Sequence, residues 1–171
     1  MRRLIDLYYA MLKALIALLL AGMVVLVFGN VVLRYAFNSG IPVSEELARW
    51  FFVWMVFLGA IVALHEHAHL GIDSLVKQLP AAGRKLCFML GHGLMIFVSV
   101  LFAKGSFEQT LINLHVSATA SGLSVGLYYG IGLVFSLSAI GILGSELWQV
   151  MSGRASVDEM IVLPESEEGR G

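Results

Sequence analysis

The sequence has 171 residues and a formal net charge of −1, with 58% hydrophobic residues and only 13% charged ones. Soluble domains carry about 25% charged residues, so this composition excludes a water-soluble domain and indicates a protein that uses the lipid bilayer as a solvent. The near-neutral charge gives no basic field for nucleic acid, and the single Cys87 excludes an internal disulfide or a multi-cysteine metal site.

Four long apolar runs predict an all-α integral membrane protein whose single domain occupies residues 1–153. We place the four transmembrane helices at about 14–33, 47–66, 86–104 and 122–145. The first run, Ala14 to Leu33, is about 30 Å long as a helix, which matches the hydrocarbon core of a bilayer. Because it is too long for the apolar region of a signal peptide and no small-residue cleavage site follows, we expect it to be retained.

Two of the runs have ends that hydropathy alone does not define. The second, Trp50 to Leu64, crosses the core only if Leu47 and Ala48 are included in the span and Arg49 extends toward the headgroups. The fourth uncharged stretch, Gln109 to Ser145, is too long for one span. Its first half carries the polar residues Asn113, His115, Ser117, Thr119 and Ser121. We therefore predict an external or interfacial connection there, followed by a span that begins at Gly122.

The start of the second helix has a recognisable signal. Ser44 stands where an N-cap residue belongs, and its short side chain is suited to accept a hydrogen bond from the first turn. Glu45 and Glu46 follow directly, where the positive end of the helix dipole favours carboxylates. These residues predict that the second helix begins at Ser44.

The middle loop and the C-terminal tail differ in character. Apolar residues recur in the loop at helical spacing, at Ile72, Leu75, Val76 and Leu79. Asp73 lies inside this pattern and Pro80 ends it, which predicts a short amphipathic interfacial helix on the cytoplasmic face. The acidic tail, residues 154–171, has little apolar surface to bury, and we expect it to be flexible.

The placement of lysine and arginine predicts the orientation. With four spans, one side of the membrane collects eight of the eleven basic residues, Arg2, Arg3, Lys13, Lys77, Arg84, Lys85, Arg154 and Arg170. The side that is richer in Lys and Arg is the cytoplasmic one. We therefore expect an N-in, C-in protein with both termini in the cytoplasm.

Histidines are the residues that most invite a metal or cofactor hypothesis. The stretch from His65 to His69 reads H-E-H-A-H, which lacks the H-E-x-x-H spacing of metalloproteases, and on a helix only His65 and His69 share a face. A polar helix end explains this stretch, His67 included, without a metal. His92 lies inside the third run, where a haem would need a second ligand at similar depth and a lone histidine more often bonds a neighbouring helix.

Charged residues are absent from the middle of every run, and no proline interrupts a span. Transport sites need ionisable residues or broken helices near the bilayer midplane, so we predict that this chain is not an autonomous transporter or channel. We also predict that it is not an enzyme and that it holds no cofactor. Small residues one or two turns apart, Gly22 with Gly29 and Gly126 with Gly130, are candidates for close helix packing.

A charged cluster flanks the first loop. Glu45 and Arg49 have the i, i+4 spacing of a helical ion pair, and Arg34 is placed to pair with Glu46 if the first two helices are adjacent. Two interpretations stay open, an ion-pair network that fixes helix depth and an interface for assembly with another subunit.

Residues 30–80 carry a family resemblance. The run from Asn30 to Asn38 contains R-Y-A-F-N, and the run from Ser44 to Arg49 reads S-E-E-L-A-R. Further elements follow in order, Phe52-Val53-Trp54, Phe57-Leu58-Gly59-Ala60, Glu66, His69, Asp73 and Leu79-Pro80. This order resembles the small membrane subunit, of the DctQ type, of tripartite ATP-independent periplasmic (TRAP) transporters. Val43 departs from the pattern, which has tryptophan there in many relatives, and His65 and His67 are outside it.

The resemblance implies a small permease subunit in the bacterial inner membrane. Such subunits have four transmembrane helices with cytoplasmic termini and act as a scaffold for a large membrane subunit that carries the sodium and substrate sites. A periplasmic substrate-binding protein delivers an organic acid such as a C4-dicarboxylate. The signature residues, implied to be structural or to lie at a subunit interface, are Arg34, Tyr35, Asn38, Glu45, Glu46, Arg49, Trp54, His69 and Asp73. The alternative from another class is a haem-binding membrane anchor subunit of a redox complex, suggested by His92 and the histidines at 65–69.

Overall fold

The structure is a computed structural model that describes residues 2–66 and 80–152. These residues form four α-helices, α1 (Arg2–Phe37), α2 (Pro42–His65), α3 (Ala81–Ile112) and α4 (Gly126–Met151). All four are long and apolar enough to cross a membrane. The interfacial helix expected near 72–79, the signature residues His69 and Asp73, and the acidic tail lie outside the described residues.

The four predicted spans are confirmed as helices, but most of the helix ends differ from the prediction. At about 1.5 Å per residue, α1 is about 54 Å long, so it extends well beyond a hydrocarbon core of about 30 Å and includes Lys13. α3 continues to Ile112, and its charged pair Lys104 and Glu108 lies one turn apart on the helix surface at 3.9 Å. Helical structure therefore continues past the charges that end the apolar runs, since long side chains reach water from inside a helix end.

The helices pack as two antiparallel hairpins that meet through α2 and α4. Gly22 of α1 lies against Phe51 of α2, and Gly132 of α4 lies against Ser106 of α3. α2 and α4 run parallel to each other, with Trp50 beside Tyr128 near their starts and Phe57 beside Phe135 further along. α2 and α4 are thus the central helices, and α1 and α3 flank them.

The core lies mainly between the two central helices. Leu58 and Ile61 of α2 and Ile131 of α4 are at most 2% exposed, and Leu12 of α1 joins them. A second cluster combines Leu64 with Ala139 and Leu143 of α4. In the most apolar stretch of α1 and of α3 only 6% of residues are buried, against 28% for α2 and 33% for α4. The outer helices therefore leave their apolar side chains to lipid, as a bilayer permits.

Glycines set the closest helix contacts, but not in the predicted pairs. A Cβ added to Gly126 would lie 3.0 Å from the carbonyl oxygen of Thr110, and one added to Gly132 would lie 3.0 Å from the Cβ of Ser106. Gly29 and Gly130 meet nothing within 4 Å. Of the candidate glycines, Gly22 and Gly126 therefore lie at close contacts within this chain, whereas Gly29 and Gly130 do not, and the second close glycine of the α3–α4 contact is Gly132.

Replacing Gly132 by valine is expected to destabilise the isolated chain by about 1–3 kcal/mol, because the added isopropyl group forces α3 and α4 apart. Gly130→Val is the matched control, since it has the same helix-propensity cost but open space around the new side chain. Thermal unfolding in detergent micelles measures both variants. Equal losses in the two variants would show that the α3–α4 contact does not depend on Gly132.

Candidate functional site

Most of the signature residues that the structure describes gather where α1 and α3 end and α2 and α4 begin, which we call the connector end. There the chain turns from α1 into α2 through Asn38, whose φ of 49° is the left-handed conformation that asparagine tolerates. Asn30 of α1, only 7% exposed, accepts a 2.7 Å hydrogen bond from the backbone N–H of Ile41. Ile41 is the N-cap of α2 and Pro42 opens the helix, so the prediction of Ser44 as N-cap is wrong. The backbone N–H of this N-cap residue is thus satisfied by a side chain of the preceding helix, α1.

Glu45 binds back to α1. Its Oε1 accepts hydrogen bonds from Nη2 of Arg34 at 2.9 Å and from Nδ2 of Asn30 at 3.1 Å. The Arg34 and Glu45 side chains are 61% and 52% exposed, so their ion pair contributes less than about 1 kcal/mol. Asn30 is buried and bonded at both ends of its amide, which makes it the stronger link of the two. Sequence reasoning did not select Asn30 as a site residue, although it begins the run of residues 30–38 that contains R-Y-A-F-N.

Glu46 holds the connector between α3 and α4. Residues 113–125 form a small hairpin, in which the Ala118 N–H donates to the carbonyl of Leu123 at 2.8 Å and Gly122 turns with a φ of 71°. The carboxylate of Glu46 accepts the backbone N–H groups of Ala120 at 3.0 Å and Ser121 at 3.2 Å. It also accepts the hydroxyl of Ser121 and, at 3.5 Å, that of Thr119.

This arrangement corrects the predicted ion pairs. Arg34 pairs with Glu45 and not with Glu46, because Glu46 projects toward α4 and the connector whereas Glu45 projects toward α1. The expected helical pair of Glu45 with Arg49 is also absent, since Glu45 is engaged by α1. Within residues 2–66 and 80–152, Arg49 makes no ion pair, and its side chain is exposed.

The remaining signature residues lie apart from one another. Tyr35 is 85% exposed at the end of α1, whereas Trp54 is half-buried and packs against the core cluster around Leu58 and Ile61. Asn38 forms the turn already described. The structure thus brings Arg34 and Glu45 into contact, sets Glu46 against the connector, and leaves Tyr35 and Arg49 exposed.

A second polar group lies at the opposite end of the helices, and it contains a residue that the sequence analysis missed. Nε2 of His92 lies 3.0 Å from Oε2 of Glu146, which joins α3 to α4, and both side chains are 13% exposed. Nδ1 of His92 lies 3.1 Å from the carbonyl oxygen of Phe88, so Nδ1 carries a hydrogen.

The prediction that His92 bonds a neighbouring helix is confirmed. Because both of its ring nitrogens form hydrogen bonds, the haem hypothesis gains no support from this residue. His65 stacks on Tyr9 of α1 with ring centroids 3.7 Å apart, beside an ion pair of Lys13 with Glu66. Among the residues that the structure describes, no three His, Cys, Asp or Glu side chains come together as metal ligands.

A groove of about 470 Å³ opens between α2, α3 and α4 near the connector end. Its walls are mostly apolar, with Val53 and Phe57 on α2, Leu101 and Phe102 on α3, and Ile131 on α4. Its polar groups come from Ser106, Glu108 and Gln109 of α3 and from the hydroxyls of Tyr128 and Tyr129 of α4. Among the described residues, the ion pairs that join different helices lie in the clusters toward the two helix ends and not in this groove.

Comparison with known proteins gives a consistent result. Residues 23–153 match the family model described as the DctQ component of tripartite ATP-independent periplasmic transporters. The chain is similar to a TRAP transporter small permease protein of Haemophilus influenzae, with 38% identity over 147 residues that cover 86% of this chain and 91% of the relative. A second such protein of the same organism is 32% identical over 127 residues, covering 74% and 77%. A C4-dicarboxylate TRAP transporter small permease protein DctQ of Vibrio cholerae is 37% identical over 94 residues, covering 55% of this chain and 40% of the relative.

Proposed function

Because the chain belongs to the family of DctQ components of TRAP transporters, we propose that it is a scaffold for the large membrane subunit of such a transporter. The observation that carries the proposal is the distribution of polar groups. The charged clusters of the described residues lie toward the two helix ends, Arg34, Glu45 and Glu46 at one and Lys13 and Glu66 at the other, and the helix middles between them are apolar. A chain built this way crosses the bilayer and offers surfaces to a partner, but it lines no polar path.

The other parts of the proposal concern the transported substrate and the partners. We propose that the large subunit carries out sodium-coupled secondary transport and that a periplasmic binding protein supplies an organic acid. A C4-dicarboxylate is the specific candidate, since two similar proteins carry that substrate in their names. This chain then contributes no catalytic, substrate-binding or cofactor residue and is not an enzyme.

We further propose that the protein lies in the bacterial inner membrane with both termini in the cytoplasm, as the lysine and arginine count favours. The connector end then faces the periplasm, and the hairpin at 113–125 and the turn at Asn38 lie on the side where a binding protein arrives. The signature residues Arg34, Tyr35, Glu45, Glu46 and Arg49 are candidates for stabilising the fold there or contacting a partner, and His69 and Asp73 are candidates in the middle loop.

Co-purification from native membranes is the direct test. The tagged chain is expected to capture one large multi-spanning membrane protein at equal stoichiometry, whereas an unrelated tagged four-helix membrane protein of similar size captures none. Liposomes that contain this chain alone are expected to show no substrate flux. A chain that never retains a large membrane partner contradicts the proposal. A chain that purifies with a haem absorption band also contradicts it and favours the redox-anchor alternative.

A further inference from the structure

Exposed residues on α2 form a single line. Between Val43 and His65 the exposed positions are Glu45, Arg49, Phe52, Val56 and Ala63, and the other residues of this segment are buried or half-buried. Their spacing of three or four residues, with one longer interval, keeps them on one face of the helix. Gly59 falls on the same line within the longer interval, and a Cβ added to it would meet nothing within 4 Å. We call these six positions the α2 stripe.

The α2 stripe differs from the exposed surfaces of α1 and α3. Those outer helices expose apolar residues around most of their circumference, which suits contact with lipid. α2 is packed against α1 on one side and against α4 on another, so only this narrow strip is left open. The strip combines large side chains at Phe52 and Val56 with small ones at Gly59 and Ala63. A repeat of about 3.5 residues that ends in closely spaced small residues is the pattern against which one further helix packs.

Arg49 gives the stripe a charge that nothing described in this chain balances. It lies seven residues after Pro42, about 10 Å along the helix from its start. Its neighbours on α2 are both engaged elsewhere, Glu45 with Asn30 and Arg34 and Glu46 with the connector. A helix that covers this face also covers the Arg49 guanidinium, and burying that cation is costly unless an anionic group meets it. The complement of the stripe is therefore a helix with an acidic side chain near the same level.

We propose that the α2 stripe is the seat of a transmembrane helix of the large permease subunit, and that an acidic side chain of that subunit pairs with Arg49. This inference rests on the proposed function and adds the face through which the partner binds. A lipid whose phosphate meets Arg49 is the competing occupant of this face, and cross-linking distinguishes it from a helix of the large subunit.

Photo-cross-linking in the native complex tests the assignment. A benzophenone amino acid is placed at Phe52 or Val56 of the stripe and, as controls, at Leu94 or Phe97 of α3, which are 64% and 58% exposed. The stripe positions are expected to cross-link to the large subunit and the α3 positions are not. Cross-links from α3 alone, equal yields from both helices, or stripe adducts with lipid only would each overturn the proposal.

Charge reversal provides the second arm. Arg49→Glu is expected to lower the yield of the stripe cross-link at least about tenfold, because it faces like charges toward each other across the contact. Lys104→Glu is the matched control, since Lys104 lies in the half of α3 nearer the connector end and outside the stripe. Its side chain is 74% exposed. An unchanged yield with Arg49→Glu would overturn the acidic pairing. If the large subunit co-purifies but the stripe does not cross-link to it, only this inference fails, whereas loss of co-purification with the wild-type chain defeats the proposed function itself.

Discussion

Replacing Glu146 by leucine is expected to lower the free energy of unfolding by about 1–3 kcal/mol, the cost of leaving a buried polar partner unsatisfied. In the wild-type chain the carboxylate lies 3.0 Å from Nε2 of His92, and both side chains are 13% exposed. Leucine fills much of the volume but leaves Nε2 of His92 without a partner between α3 and α4. Denaturant titration in micelles, followed by circular dichroism, measures the loss.

A double-mutant cycle separates the pair from its surroundings. His92→Leu alone is expected to cost a similar amount, because it leaves the carboxylate of Glu146 without its histidine partner. With both residues changed to leucine the contact becomes apolar, so the double variant is expected to be clearly more stable than the sum of the single losses predicts. Glu108→Leu is the control, since its ion pair with Lys104 is exposed and is worth less than about 1 kcal/mol. Strictly additive losses would contradict the coupling of His92 with Glu146.

Replacing Glu46 by alanine is expected to release the connector between α3 and α4. The carboxylate accepts two backbone N–H groups, those of Ala120 and Ser121, together with two hydroxyl groups of the same segment. No other described residue of α2 is hydrogen-bonded to this segment. Amide hydrogen exchange at residues 118–124, measured by mass spectrometry on the chain in micelles, is expected to become much faster, while exchange in the middle of α4 stays slow.

Glu45→Ala is the matched control for this experiment. Glu45 is the neighbouring carboxylate on the same helix, but its hydrogen bonds among the described residues go to Asn30 and Arg34 of α1 and not to the connector. Its loss is expected to leave exchange at 118–124 unchanged. Equal acceleration in the two variants would mean that the connector responds to the charge of the helix start and not to the hydrogen bonds of Glu46.

The helices could be predicted from the sequence because hydropathy decides which segments enter a bilayer, and each of the four apolar runs became a helix. The helix starts could not be predicted in the same way. Ser44 has the local character of a cap, yet the N–H of Ile41 finds its acceptor in Asn30, eleven residues earlier on another helix. α3 likewise continues to Ile112 through residues that read as a polar connection, because its polar side chains bond to the preceding turn, as Thr110 does to Ser106.

The candidate site was predicted as a set of residues but not as a set of contacts. Helical spacing placed Glu45 beside Arg49, but a residue on another helix competes for the same carboxylate, and spacing within one helix does not report it. Glu46 binds backbone groups more than seventy residues away, which no local pattern encodes. Glu146 was not predicted as a site residue, because a charge directly after an uncharged run indicates the end of a span. In the structure it is hydrogen-bonded to His92 of α3.

The pairing of helices also has a consequence for the order in which the chain assembles. α1 meets α2, and α3 meets α4, through residues that are close in sequence, so each hairpin can form as soon as its second helix has been synthesised. The contacts of Leu58 and Ile61 with Ile131, and the bonds of Glu46 to the connector, join hairpins that leave the ribosome at different times. Until the second hairpin arrives, the first exposes that face of α2 to lipid. The last step in the folding of this chain is then the docking of two preformed hairpins, and Glu46 reaches the connector only when that step is complete.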